Sequence, residues 1–349
     1  MMDAANGMKF SNVVLESIRL ELPDEIWTSE AIEERMEPVY ERMNLSIGRL
    51  ELMTGIRERR VWGPSFLPST EAANVAFKLF GDSSVPKENI DLLIHAGVCR
   101  DRLEPATAAY VHQLLSLPQT VQFMDISNAC LGFLNAMLLA SSMIEGGMVR
   151  SALIVTAESS RKLIENTVEA VLSPKMSRKE MKMYFANLTI GSGAVAALLC
   201  HRKYAPDAPK ILGGVVRADS SQNGLCEGGN AGFGYEMLTD SEALLHAGIN
   251  LAKETWEDFS TLLNWTDSTV DHYICHQVGK MHQKALYEGL NIDRSKDYST
   301  YATAGNMGSA ALPGALAQAM QDSVIGKGEH LALLGIGSGL SSVMLGIES

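Results

Sequence analysis

Short apolar runs alternate with amphipathic stretches along the chain. The stretches at 106–117, 130–147 and 243–264 repeat their apolar residues at helical spacing. The apolar runs have the length of buried strands and lie at 91–98, 152–158, 194–200, 272–278 and 330–337. Near-continuous apolar strands separated by helices are typical of a largely parallel sheet covered on both faces. The pattern therefore predicts an α/β fold.

The two halves of the chain repeat one another. NIDLLIHAG in the first half resembles TVDHYICHQ in the second, which matches Asp91 to Asp271 at an offset of 180 residues. The apolar strands further on match Ala152 to Ala332 at the same offset of 180 residues. A repeat of this length indicates a duplicated domain rather than a solenoid unit.

The repeat divides the chain into two predicted half-domains. The N-terminal half spans residues 1–200 and carries an inserted helical segment at about 161–190, and the C-terminal half spans 201–349. Active sites of such sheets lie at the carboxyl ends of the strands. The matched strand-to-helix turns, DISNACLGF and ATAGNMGSA, are therefore where we expect chemistry.

Composition narrows the class of protein. Of 349 residues, 46% are apolar and 20% are charged, which is typical of a globular protein. The net charge of −12 argues against nucleic acid or an anionic membrane surface as the main partner. An anionic cofactor needs only a local basic patch and stays compatible with this charge.

The cysteines and the N-terminus bear on the compartment. Five cysteines lie at wide spacings without a CxxC pair, so we expect neither a disulfide framework nor a metal site. No apolar run reaches the length of a membrane span, and no export signal is visible. A reduced, cytoplasmic protein is the resulting expectation.

Cys130 is the first candidate for chemistry, since it follows the predicted strand VQFMDIS and opens a helix. A free thiol has a pKa near ~8.5, so little of it is thiolate at neutral pH. A helix N-terminus contributes roughly 0.3–1 kcal/mol toward the anion, and a neighbouring imidazole could supply the rest. The alternative is a buried cysteine that packs between sheet and helix.

His276 and Asn306 lie at the corresponding positions of the second half. His276 ends the strand HYICHQV, and Asn306 lies in the turn AGNMG. The duplication predicts that both lie beside Cys130, where they could donate hydrogen bonds to a thioester carbonyl and stabilise an enolate. Separately, each has an ordinary interpretation as a structural histidine or a turn former. Their shared position favours function.

Two further candidates lie in turns. The glycine-rich turn GIGSGLSS lacks the lysine of a phosphate-binding loop. Its Gly339 is the best candidate for a backbone N–H that, with the N–H of Cys130, holds an oxyanion. Glu104, beyond the end of a strand, could be a general base. It could also simply favour the N-terminus of the next helix, which is the stronger interpretation from sequence alone.

Arg57, Arg59 and Arg60 form a short basic run in TGIRERR. Such a run is usually a solvated turn. In an acidic chain it could also meet a nucleotide phosphate, with Arg57 and Arg59 as the candidate ligands.

Together these segments resemble the ketoacyl-ACP synthase III relatives. TGIRERR, DISNACLGF, the HQV at His276, the GNMG at Asn306 and the terminal GIGSGL come in the order seen there, from about Met8 to the C-terminus. The ordered Cys–His–Asn set is highly specific to the thiolase superfamily. The resemblance implies the thiolase fold, in which duplicated half-domains stack in α-β-α-β-α layers.

Within that superfamily the chain is most similar to the OleA-type enzymes, which join two long-chain acyl-CoAs head to head into a β-keto acid. The similarity implies a non-decarboxylative Claisen condensation through an acyl group on Cys130. The substrates would be coenzyme A thioesters, with no permanently bound cofactor. Glu104 would be the base for the second acyl-CoA and would reach the active site of the partner in a homodimer. Residues 163–189 would line acyl channels or, alternatively, cover the sheet as a helical pair.

The chain departs from the synthase III pattern at the CoA contacts. A tryptophan and an arginine stack on adenine there, whereas Arg49 and Met53 occupy the corresponding positions here. The CoA-binding site must therefore differ.

Two alternatives to the head-to-head reaction stay open. A synthase III that uses malonyl-ACP needs no base such as Glu104, but it needs a basic face for an acidic acyl carrier protein. Lys280, His282 and Lys284 are candidates for that face. The second alternative is a non-catalytic thiolase-fold partner that binds acyl chains, and the intact Cys–His–Asn set argues against it.

Overall fold

A computed structural model describes residues 7–229 and 236–349. Within these ranges the strands are β1 (Gly7–Lys9), β2 (Val13–Glu21), β3 (Glu25–Thr28), β4 (Glu58–Val61), β5 (Leu92–Ala96), β6 (Gln122–Ile126), β7 (Ser151–Glu158), β8 (Gly193–His201), β9 (Lys210–Ala218), β10 (Cys226–Gly229), β11 (Glu236–Thr239), β12 (His272–Cys275), β13 (His330–Gly337) and β14 (Ser341–Glu348). The helices are α1 (Ser29–Glu34), α2 (Glu37–Arg42), α3 (Arg49–Thr54), α4 (Pro68–Asp82), α5 (Thr107–Leu114), α6 (Gly132–Glu145), α7 (Arg161–Val171), α8 (Arg178–Tyr184), α9 (Ser241–Leu263), α10 (Lys280–Leu290), α11 (Tyr301–Ala304) and α12 (Ala311–Gln321). Each predicted strand and helix is present, with small shifts at its ends. Within the described ranges, no helix is both long and apolar enough to cross a lipid bilayer.

The main sheet of the described residues has ten strands, in the order β12-β13-β14-β9-β2-β8-β7-β5-β6, with β1 beside β9. β2 and β9 meet through the single residue pair Val14 and Lys210. This narrow junction divides the sheet into two half-sheets. One contains β2 and β5 to β8, and the other contains β9 and β12 to β14.

The strand directions differ from the sequence prediction. β5 is parallel to β6 and β7, and β12 is parallel to β13. The other neighbours along the sheet are antiparallel. The prediction of a largely parallel sheet is therefore wrong. A run of apolar residues indicates that both faces of a strand are buried, which is the case here. It does not indicate whether neighbouring strands are parallel or antiparallel. β14 returns beside β13 through a short turn, which an antiparallel pair allows.

Three apolar cores alternate with the two half-sheets, because successive strand residues point to opposite faces. In β7, Ile154 faces the core around α6 and α12, whereas Val155 faces the core under α4 and α5. In β13, Leu333 faces the same central core, whereas Leu334 faces the core under α9 and α10. Helices α6 and α12 are apolar around most of their circumference, as a helix between two sheets must be. The predicted α-β-α-β-α layering of the thiolase fold is confirmed.

The same hydrogen bond occurs at the beginning of a parallel strand pair in each half of the chain, at β5 and β7 and at β12 and β13. Asp91, just before β5, accepts a hydrogen bond from the Arg150 backbone at 2.6 Å. Asp271, just before β12, accepts one from the His330 backbone at 2.8 Å. Donor and acceptor are both shifted by the 180 residues of the sequence repeat. The repeat therefore corresponds to a repeated structural contact.

Helices α1, α2, α3, α7 and α8 form a separate unit, which we call the helical cap. Its core combines Ile32 and Leu50 from one segment with Ile164 and Met181 from the other. The alternative in which residues 163–189 cover the sheet is therefore wrong. Buried Glu33 holds α3 in the cap, since its carboxylate accepts the N–H groups of Gly48 and Leu50 at 2.6 and 2.9 Å.

Arg59 anchors β4 to the cap and is fully buried. Its guanidinium donates to the Trp27 carbonyl at 3.2 Å, the Ser29 hydroxyl at 3.1 Å and the Leu188 carbonyl at 2.8 Å. Burial lowers the pKa of Arg59 to about 10, which leaves it charged at neutral pH. One side chain thus joins three segments of the chain.

Arg59→Met should lower the free energy of unfolding by about 3 kcal/mol, because it leaves buried oxygen atoms without a donor. Arg57→Met, two residues away at an exposed side chain, should change it by less than about 0.5 kcal/mol. Urea denaturation of both variants measures the difference. Equal effects would contradict the anchoring role of Arg59.

Candidate active site

Cys130 lies in the turn between β6 and α6. Ala129 before it has a φ of +45°, which is uncommon for a residue with a side chain. The hydroxyl of Ser309 donates to the Ala129 carbonyl at 2.7 Å, so the second half of the chain holds this turn. Gly132 permits the close approach, since a Cβ there would lie 3.2 Å from Ser309 Oγ.

His276 directly follows β12 and lies beside the end of β13. Its backbone N–H donates to the Leu334 carbonyl at 3.0 Å. β13 ends at Gly337, where a Cβ would lie only 3.7 Å from the Cys130 nitrogen. The side chain of His276 is buried, and its Nδ1 has no hydrogen-bond partner among the described residues.

Asn306 is held in its turn by three hydrogen bonds. Its backbone N–H donates to Thr189 at 2.9 Å, and its carbonyl accepts from Gly191 at 2.9 Å. Its side-chain Oδ1 accepts the Gly308 N–H at 3.0 Å. The Nδ2 group has no acceptor in the described part of the chain and can donate to a ligand. Since Ser309 in the same turn bonds to Ala129, the structure brings the Cys130, His276 and Asn306 turns together.

Burial determines the charge state of the pocket. It raises the pKa of the Cys130 thiol to about 12, with smaller contributions from Cys226 and Glu158. It lowers the pKa of His276 to about 4. The direction is opposite to the expected lowering by a helix N-terminus and an imidazole, because loss of water is the largest contribution to the thiol pKa in the free protein. The resting pair is a neutral thiol and a neutral imidazole.

Gly339 lies in the turn between β13 and β14 with a φ of +124°, a conformation that favours glycine. The next residue, Leu340, exchanges backbone hydrogen bonds of 2.9 and 3.1 Å with Asp219, which fixes the turn. The glycine that lies against the Cys130 backbone is Gly337. The oxyanion role of Gly339 stays a prediction.

Glu104 is exposed on the loop between β5 and α5, beside Leu103, which is 88% exposed. Within the described ranges its carboxylate has no hydrogen bond or ion pair. The first N–H groups of α5, those of Thr107 and Ala108, both donate to Asp125 at 2.8 Å. The direct hydrogen bonds at this N-terminus therefore come from Asp125, and an electrostatic role of Glu104 there stays a prediction.

The candidate phosphate ligands separate in the structure. Arg59 is fully buried by the contacts described above, so its assignment to a phosphate is wrong. The side chain of Arg57 is 59% exposed and remains available. Arg49 and Met53 are exposed on α3.

The predicted carrier-protein face is weaker than the sequence indicated. Lys280 and Lys284 are exposed at the start of α10, and Lys284 lies 3.6 Å from Glu288. Burial lowers the pKa of His282 to about 4, so it adds no positive charge at neutral pH.

Three residues around the pocket are not predicted by the sequence patterns described above. Gln277 bonds the Cys275 carbonyl at 2.7 Å and accepts the Thr300 N–H at 2.7 Å, which joins the His276 strand to α11. Glu158 ends the apolar strand β7. A charged residue at the carboxyl end of a buried strand is a sequence signal that could have identified it. Ser309 lies at the repeat offset from Ala129, which could have identified it. Among the described residues, no group of three or more His, Cys, Asp or Glu side chains could hold a metal ion.

Alkylation of Cys130 by iodoacetamide tests the charge state. Since the pKa of the thiol is about 12, the rate should rise about tenfold per pH unit from pH 7 to 10. Intact-mass spectrometry measures the rate, and Cys130→Ala gives the background from the other cysteines. A plateau beginning below pH 8 would indicate a thiolate–imidazolium pair instead.

Models of a known family match two parts of the chain. The model described as 3-oxoacyl-[acyl-carrier-protein (ACP)] synthase III matches residues 124–220, which include Cys130. The model of the C-terminal part of the same synthase matches residues 262–347, which include His276 and Asn306.

Similar proteins cover nearly the whole chain. An acyl-CoA:acyl-CoA alkyltransferase of Shewanella oneidensis is 36% identical over 98% of this chain and 100% of its own length. One from Xanthomonas campestris is 35% identical over 97% of this chain and 98% of its own length.

Solved structures agree. A crystal structure of Xanthomonas campestris OleA, a variant with one glutamate replaced by glutamine, has a TM-score of 0.94 at 34% identity and covers 98% of both chains. A cysteine-to-serine variant of the same protein, solved with bound lauric acid and lauroyl-CoA, has a TM-score of 0.93 at 34% identity over 97% of this chain and 100% of that chain. The chain therefore belongs to the OleA-type acyl-CoA:acyl-CoA alkyltransferases, a family of thiolase-superfamily condensing enzymes.

Proposed function

We propose that this protein is an acyltransferase that joins two acyl-CoA molecules by a Claisen condensation, with Cys130 carrying the first acyl group. The convergence of the Cys130, His276 and Asn306 turns at one buried pocket carries the proposal. Membership of the alkyltransferase family supports acyl-CoA as both substrates. Each residue is given the chemical step for which its side chain has an unpaired donor or acceptor.

The first step transfers an acyl group to Cys130. The neutral imidazole of His276 accepts the thiol proton as the sulfur attacks the thioester carbonyl. Backbone N–H groups of Cys130 and Gly339 stabilise the oxyanion. The carbon–sulfur bond to CoA then breaks, and the CoA thiolate takes the proton back from His276. A buried neutral pair suits this step, because the thiolate forms only when a substrate is present.

The second step makes the carbon–carbon bond. Glu104 removes an α-proton from the second acyl-CoA, and the enolate oxygen accepts hydrogen bonds from His276 and from the free Nδ2 of Asn306. The α-carbon attacks the Cys130 thioester, and the Cys130 thiolate leaves and takes up the proton that Glu104 removed. The product is a β-ketoacyl-CoA, whose hydrolysis gives the β-keto acid.

Glu104 acts in the partner subunit of a homodimer in this scheme. Its carboxylate is exposed and is free of contacts in the described residues. The same loop exposes Leu103 and Val98, and the neighbouring edge strand β6 exposes Phe123. A second copy of the chain would cover these apolar side chains and receive the carboxylate.

CoA phosphates are assigned to Arg57 together with Lys280. A Cβ at Gly55 would lie 2.9 Å from Lys280 Cβ, so the Arg57 segment and the start of α10 are in contact. Both cations are exposed, and Lys280 opens α10 four residues after His276. An anionic group bound there would lie at the mouth of the pocket.

Incubation with lauroyl-CoA alone tests the reaction. We expect a product with the mass of the coupled β-keto acid, or of the ketone formed when it loses CO₂, and an acyl adduct on the protein by intact-mass spectrometry. Cys130→Ala should give neither. A product that requires malonyl-ACP would indicate a synthase III, and absence of both adduct and product would indicate a non-catalytic partner.

Mixed dimers test where Glu104 acts. Cys130→Ala and Glu104→Gln should each be nearly inactive alone. Unfolded together and refolded as a one-to-one mixture, they should recover about a quarter of the wild-type condensation rate, because half of the dimers are mixed and each has one complete site. A mixture as inactive as its components would place Glu104 in its own chain's site, and an active Glu104→Gln variant would place it outside the mechanism.

A further inference from the structure

Glu158 is a buried carboxylate at the carboxyl end of β7, and the mechanism above does not use it. Its side chain is 4% exposed, and burial raises its pKa. Its Oε1 accepts the Val98 N–H at 2.8 Å and its Oε2 accepts the Cys99 N–H at 3.1 Å. These two residues begin the loop that carries Glu104.

The same carboxylate also touches the second half of the pocket. A Cβ at Gly308 would lie 3.5 Å from Glu158 Cδ, so the carboxyl group lies against the turn that contains Gly308 and Ser309. Ser309 in turn donates its hydroxyl to Ala129, directly before Cys130. Glu158 therefore contacts both the loop of Glu104 and the turn that positions Cys130.

A buried carboxylate is costly unless hydrogen bonds compensate for the lost water. Two backbone N–H groups of the loop that carries Glu104 do so here, while the carboxyl group lies against the turn of Gly308. An apolar residue would continue the strand β7 at lower cost but would leave these donors unpaired. The contacts of Glu158 thus give it a role between the two segments rather than within β7.

We propose that Glu158 is a positioning residue that holds the loop of Glu104 in register with the Cys130 turn, so that condensation depends on it more than acylation does. This inference rests on the proposed function, in which Glu104 is the base of the second step.

Glu158→Gln separates positioning from packing. Glutamine has the same shape, but its amide nitrogen cannot accept, so at least one of the two N–H groups of Val98 and Cys99 loses its partner. We expect the condensation rate to fall about 10-fold to 100-fold, because a small displacement of a base is costly. The rate of acyl-adduct formation on Cys130 should change less than about 3-fold.

The double variant with Glu104→Gln and Glu158→Gln tests whether Glu158 acts through Glu104. If Glu158 acts through Glu104, Glu158→Gln should cause no further loss of condensation once Glu104 is replaced, since the two changes then remove one interaction. Trace product is quantified by mass spectrometry at high enzyme concentration.

Glu145→Gln is the matched control. Glu145 also accepts two backbone N–H groups, those of Ser11 at 3.1 Å and Asn12 at 2.9 Å, but at the far end of α6. This variant should leave both steps unchanged. If Glu158→Gln does not fold, Glu158→Asp, which retains the charge but shortens the side chain, is measured in the same way.

Equal loss of acylation and condensation in the Glu158 variant would overturn the proposal, as would a further loss in the Glu104→Gln background. If Glu104→Gln alone impairs condensation and Glu158→Gln does not, the Glu158 proposal fails and the proposed function stands. If Glu104→Gln leaves condensation unchanged, the base assignment fails and this inference fails with it.

Discussion

The hydrogen bond from the Ser309 hydroxyl to the Ala129 carbonyl joins the two halves of the chain beside Cys130. It lies against the central layer, where α6 and α12 are apolar around most of their circumference. A polar group left unpaired in such surroundings costs about 1–3 kcal/mol, so the two partners must meet. The position of Cys130 relative to the second half thus depends on the packing of all five layers, and the turns of His276 and Asn306 are placed by the same packing.

The exclusion of water that stabilises these layers also determines the chemistry available in the pocket. It raises the pKa of the Cys130 thiol and lowers that of the His276 imidazole, so the resting pair carries no charge. An apolar acyl chain can enter such a pocket without displacing the hydration shell of an ion. Hydrogen-bond donors fixed at Asn306 and along the backbone then face the thioester instead of water, which favours reactions that develop charge on its oxygen.

The loop after β5 has the opposite character. Asp125 accepts the first N–H groups of α5, and Glu104 is exposed beside Leu103. Glu158 restrains the beginning of this loop from inside the protein. The loop is thus fixed at its beginning and exposes the Glu104 carboxylate further along. Such a loop is suited to place a carboxylate in the site of another chain. The proposed homodimer and the proposed deprotonation of the second acyl-CoA therefore both depend on this loop.

The sequence by itself determined the strands, the helices and the turns that carry Cys130, His276 and Asn306, although Asn306 follows the short helix α11 and not the predicted strand end. Burial on both faces leaves apolar runs, and duplication leaves a constant offset, so both are visible locally. Tertiary structure alone decided the strand directions and the separation of Arg57 from Arg59. These arginines belong to one run of sequence, but Arg59 lies in β4 and meets acceptors more than a hundred residues away. It also decided the pKa values of the pocket, because desolvation is produced by side chains from distant parts of the chain that exclude water together.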